Sequence, residues 1–170
     1  MRKPVLAASL ALVVWPIVEG LAQNSGTTTL VLRVGPEARV DPQQVPLSFV
    51  VSTDGTADVT TVPVQITARV RALAGQAIRV TGQLKNLQGP SGPVDAGAVR
   101  WAGSVVNATG AARQAACSSG AFASGASENL VAGWQTSGLL VCALNFQLTQ
   151  PRSFPPGAYS GTVQLAVATQ

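Results

Sequence analysis

The chain ends on the run Gly157-Ala-Tyr-Ser-Gly-Thr-Val-Gln-Leu-Ala-Val-Ala-Thr-Gln170, and this run alternates with a period of two. Tyr159, Gly161, Val163, Leu165 and Val167 fall on one side, and Ser160, Thr162, Gln164, Ala166 and Ala168 on the other. A helix brings together residues three and four apart, whereas a strand brings together residues two apart. The pattern therefore specifies a strand with one buried side, and the Pro155-Pro156-Gly157 turn marks where it starts.

The same period recurs upstream. Leu47, Phe49 and Val51 alternate with Ser48, Val50 and Ser52. Val64, Ile66, Ala68, Val70 and Ala72 alternate with Gln65, Thr67, Arg69 and Arg71. Ile78, Val80, Gly82 and Leu84 alternate with Arg79, Thr81, Gln83 and Lys85. The short Gly-containing link at Ala74-Gly75-Gln76 reads these last two runs as an antiparallel hairpin. Val99, Trp101, Gly103 and Val105 share one face, and so do Leu140, Cys142, Leu144, Phe146 and Leu148. A strand is also expected from about Asn129 to Thr136. Leu87–Gly97 reads as a Gly- and Pro-rich loop, and 107–127 as a small polar segment holding one short strand around Cys117. The sum is an all-β chain, an immunoglobulin-like antiparallel β-sandwich of about 7–8 strands.

The amino terminus has a different character. Arg2 and Lys3 precede an apolar run, and Gly20-Leu21-Ala22 places small residues where a signal peptidase cuts. The run carries Pro16 and stops at Glu19, shorter than the roughly 20 apolar residues of a spanning helix. The expected organisation is a cleaved signal peptide over 1–22, an amino-terminal strand or extension over 23–44, and a β-sandwich domain over 45–170. Removing 22 of the 170 residues leaves 148, enough for one domain with a sizeable core. The expected location is secreted, periplasmic or at the cell surface, with no membrane span after cleavage.

Export gives the two cysteines their reading. Cys117 and Cys142 are expected to form one disulfide in an oxidising compartment. They lack C-x-x-C spacing, and the chain has no His to complete a zinc site. The lack of His also removes Ser-His-Asp and Cys-His catalysis. The six carboxylates beyond the leader, at Glu37, Asp41, Asp54, Asp58, Asp95 and Glu128, sit mostly in polar loops and single out no pair. Asp54-Gly55-Thr56-Ala57-Asp58 is the nearest approach to a calcium loop, but it lacks a third acid and reads equally well as a turn. No enzyme, cofactor or metal site is expected. The net charge of +4 falls to +3 once Arg2, Lys3 and Glu19 are removed, and the nine remaining basic residues are scattered singly, with no stripe fit for nucleic acid.

Two aromatic positions and one sequon complete the inventory. Trp101 lies on the apolar face of its strand and is expected in the core. Trp134, between Gly133 and Gln135, has no such placement and is the candidate ligand contact. Asn107-Ala-Thr109 forms a glycosylation triplet, which matters only where the source glycosylates exported chains.

The segment Pro156-Gly157-Ala158-Tyr159-Ser160-Gly161-Thr162-Val163, followed by alternation to the end, resembles the closing strand of secreted pilin-type sandwiches. These include chaperone–usher pilins and the spore coat protein U group. The resemblance implies a core role for Tyr159 and inward positions for Val163, Leu165 and Val167. It also implies self-association by strand exchange and a periplasmic chaperone as partner. The donor would be 27–34, with Leu30, Leu32 and Val34 as plugs. The alternative is that 27–34 is the first strand of its own domain. The late position of Cys117 and Cys142 departs from the pattern, since many such pilins carry their disulfide early. Two functions follow as expectations: an exported structural or assembly subunit, and a secreted ligand-binding or adhesion module for glycan or protein.

Overall fold

The structure is a computed structural model that describes residues 37–54, 57–58 and 64–170. The expected signal peptide and the strand bearing Leu30, Leu32 and Val34 lie outside the described residues. The strands in chain order are β1 (Glu37–Asp41), β2 (Gln44–Val51), β3 (Ala57–Asp58), β4 (Val64–Arg71), β5 (Ile78–Gly89), β6 (Gly92–Pro93) and β7 (Val99–Gly110). They continue with β8 (Ala116–Cys117), β9 (Gly120–Ala121), β10 (Glu128–Asn129), β11 (Val131–Ala132), β12 (Gly138–Leu148) and β13 (Gly157–Thr169). Three single 3-10 turns, Ala96–Ala98, Ala111–Gln114 and Pro151–Ser153, are the helical elements among the described residues.

Two antiparallel sheets stack face to face. Sheet A has the order β1-β4-β12-β7-β9, and sheet B the order β10-β5-β13-β2-β3 with β6 paired to β5. A small pair, β11-β8, lies apart from both. The inward residues of each strand make the core: Ile66, Ala68 and Val70 from β4, and Leu140, Cys142, Leu144, Phe146 and Leu148 from β12. Facing them are Val45, Leu47, Phe49 and Val51 from β2, Val80 and Leu84 from β5, and Tyr159, Val163 and Leu165 from β13. Alternation in the sequence thus becomes interdigitation between layers.

The last strand buries the side its pattern predicts. β13 is central in sheet B, pairing β2 from Gly157 to Gln164 and β5 from Ser160 to Thr169. Tyr159 is 1% exposed, and its hydroxyl donates to the Pro155 carbonyl oxygen at 2.6 Å. Phe154 meets the Tyr159 ring edge-on at 5.7 Å.

The expected hairpin between the runs 64–72 and 78–85 does not form. β4 belongs to sheet A, between β1 and β12, and β5 to sheet B, beside β13. The link 72–77 carries the chain across the gap of about 10 Å between stacked sheets. Both runs face the same interior from opposite sides, so their alternation is alike whether they pair or not.

Part of the amino-terminal strand or extension expected over 23–44 lies within the sandwich: Glu37–Asp41 is a strand that pairs residue for residue with β4, from Glu37↔Arg71 to Asp41↔Thr67. The sandwich therefore includes these residues. Only Val40 of β1 is buried, so an edge strand with one inward apolar residue leaves no visible alternation. After the cis Asp41–Pro42 bond the chain changes layer and enters sheet B as β2.

Two strands run longer than their sequence period suggests. β5 continues to Gly89 because Asn86 adopts φ 51° and shifts the register, so that Leu84 and Leu87 are both buried. One left-handed residue reverses the inward–outward phase, and Asn tolerates that conformation. β7 runs to Gly110 with a similar shift opposite Val141 and Cys142, which leaves Val106 as the extra residue.

Candidate interaction edge

The segment 111–137 decides which edges of the sandwich are open. It is made mostly of Ala, Ser and Gly, yet it buries Ala112, Ala115, Phe122, Leu130, Val131 and Trp134. Its short strands bridge the layers: β9 pairs with β7 at Arg100 and Trp101 in sheet A, and β10 pairs with β5 at Thr81 and Gly82 in sheet B. The segment therefore acts as a wall across one side of the sandwich. Phe122 fills the space behind it, 4.8 Å from the Trp101 ring and 6.2 Å from the Phe146 ring.

The Cys117–Cys142 disulfide ties this wall to the core strand β12, with a Cα–Cα distance of 6.0 Å. Cys142 is 1% exposed. Gly103 of β7 makes room for the wall: a Cβ there would strike the carbonyl oxygen of Ser118 and lie 3.0 Å from Cys117 Cβ. The Gly103 N–H donates to Ser119 Oγ at 3.2 Å.

Beyond Gly103 the wall stops and β7 is an edge. From Ser104 to Gly110, no strand among the described residues pairs with its outer side. Ser104, Val105, Val106 and Asn107 are all exposed, so both faces of the strand meet solvent here. Val105 is 45% and Val106 51% exposed. Val105 follows the inward phase of Trp101 and lies opposite the buried Cys142, yet it stays exposed. The sequence Ser104-Val-Val-Asn-Ala-Thr-Gly110 carries no charge and no Pro, the devices that usually blunt an edge, and has only the bulge at Val106.

Residues singled out in the sequence are dispersed. Trp134 is 2% exposed, which corrects its reading as a ligand contact: the ring lies in the core beneath the wall. A Trp flanked by Gly and Gln shows no alternation, so its burial was not legible. Trp101, 5% exposed, is in the core as expected. The Nε1 atoms of both indoles are buried without a hydrogen-bond partner among the described residues. Asn107 is exposed on β7, opposite Val141 of β12.

The carboxylates do local work. Asp95 Oδ1 accepts from the Gly97 N–H at 2.6 Å and caps the 3-10 turn there. Asp54 accepts from the Ser52 hydroxyl. Gly55 and Thr56 of the calcium-like loop lie outside the described residues. No group of three or more metal-ligating side chains occurs among the described residues.

The chain matches no protein family, and no curated protein or solved structure is significantly similar to it.

Proposed function

We propose that this chain is an exported structural or assembly subunit, an immunoglobulin-like sandwich that associates with other protein subunits by β-strand addition outside the cytoplasm. The observation that supports it best is the uncharged edge of β7 from Ser104 to Gly110, unpaired among the described residues, with Val105 and Val106 exposed. An edge of this kind offers main-chain groups to an incoming strand and apolar side chains to hold it. The immunoglobulin-like reading draws support from the Tyr159–Pro155 hydrogen bond, which has the form of a tyrosine corner at the start of a late strand.

Both flanks of β13 are occupied by the chain's own strands, β2 from Gln44 to Val51 on one side and β5 on the other. Strand addition through β7 therefore leaves the core complete in each subunit. The segment 27–34, with Leu30, Leu32 and Val34, is the proposed incoming strand, and a leader ending at Ala22 exposes it after export. The test is the assembly state of the secreted chain by size exclusion with light scattering. Deletion of 27–34 is expected to leave a folded monomer. A deletion variant that still assembles would exclude 27–34 as the donor.

A further inference from the structure

The outer face of sheet A gathers arginines that lie far apart in sequence. Arg39 of β1 is directly opposite Arg69 of β4, and Arg71 is two residues further along the same face. All three are exposed. Cross-strand neighbours have Cβ atoms about 4.5–5.5 Å apart, and like charges at that separation destabilise a sheet. Glu37, opposite Arg71, is the one carboxylate among the described residues that lines, with the three arginines, a shallow depression of about 430 Å³. Asp41, opposite Thr67, lines an adjoining depression with Arg39 and Arg69. No salt bridge engages Arg39 or Arg69 among the described residues. The guanidiniums at the centre are left as a like-charged pair aimed at solvent.

The row continues across the sheet. Arg69 is opposite Leu139 of β12, and Leu139 is opposite Thr109 of β7. With strands about 4.8 Å apart, Arg39 and Thr109 are separated by about 14 Å, the reach of a few sugar rings. The order along the row is two cations, a half-buried apolar side chain and a hydroxyl.

We propose that this row binds an acidic polysaccharide, with a carboxylate or sulfate between Arg39 and Arg69, a sugar ring over Leu139 and a hydroxyl group at Thr109. Arginine holds such oxyanions through paired N–H donors, and the bound anion relieves the repulsion between the two cations. An apolar patch as small as Leu139 suits a ring face and gives nothing for membrane insertion. The row and strand addition share Thr109 of β7 but use it differently: the row takes its side chain on the face of sheet A, and strand addition takes main-chain groups along the edge.

The test is binding of a sulfated oligosaccharide to the whole chain at moderate salt, by calorimetry. Neutral dextran and polyphosphate serve as comparison ligands. The variant R39Q/R69Q is compared with R113Q/R152Q, which removes the same charge from exposed arginines on two 3-10 turns. The expected result is a loss of about tenfold or more for R39Q/R69Q and less than about twofold for R113Q/R152Q. Equal losses in the two variants would reduce the effect to overall charge and overturn the proposal. Polyphosphate binding as tightly as the oligosaccharide would overturn the sugar assignment, and so would no binding of the oligosaccharide at all.

Discussion

Tyr159 and Pro155 are joined by a hydrogen bond across the corner where β13 begins, the phenolic O–H reaching the carbonyl oxygen at 2.6 Å. The ring is buried and the carbonyl belongs to the turn, so one side chain fixes both the entry of the strand and its inward phase. Tyr159→Phe keeps the ring and removes the bond. It is expected to cost about 1 kcal/mol, read as a lower urea midpoint with an unchanged slope.

Cys117 and Cys142 close a loop with a sequence separation of 25. Replacing both with Ala is expected to cost about 3 kcal/mol. The loss should be local as well as global. Native-state hydrogen exchange is expected to accelerate within 111–137 before it does so in β13, because the wall loses its tether while β13 keeps a partner on each side.

Phe122 is the one large aromatic contributed by 118–127, and it is 2% exposed. Phe122→Ala is expected to cost about 3–5 kcal/mol. Fluorescence should report it as well, since Trp101 loses the ring 4.8 Å away and gains access to water.

Gly103→Ala places a methyl group against the backbone of Ser118 rather than against a side chain that can turn away. A cost of about 1–3 kcal/mol is expected from overpacking. The check is thermal unfolding, with faster reduction of the disulfide beside it as a second readout.

Val106→Lys puts a charge on the open edge without touching the core. Stability is expected to change by no more than about 0.5 kcal/mol, while the self-association proposed for this edge is lost. Light scattering and chemical denaturation measured on one sample separate the two effects, and assembly that persists would sink the role given to this edge.

The faces of the strands were legible wherever the period stayed in phase. Val45 to Val51, Val64 to Val70 and Tyr159 to Leu165 needed only counting, because every second residue is apolar or glycine and lies on the buried or half-buried side. Pairing was not legible. Alternation states which side of a strand is wet, and it is silent on which neighbour lies beside it, so β4 and β5 read as a hairpin although they lie in different sheets. Phase reversals hid the far ends of β5 and β7, since one residue at Asn86 or Val106 inverts everything after it. Burial in the wall was hidden for a different reason. Phe122, Leu130 and Trp134 are held by short strands and a disulfide, and neither leaves a periodic trace. The arginine row needed the register, because Arg39 and Arg69 become neighbours only when β1 lies on β4.

The central place of β13 has a consequence for how the molecule is made. Its partners β2 and β5 precede it in the chain, and neither gains its β13 neighbour until residues 157–169 have been made. That layer is therefore closed by pairings of long sequence separation, which form slowly. A variant interrupted within β13 should be cleared by proteases instead of accumulating half-built.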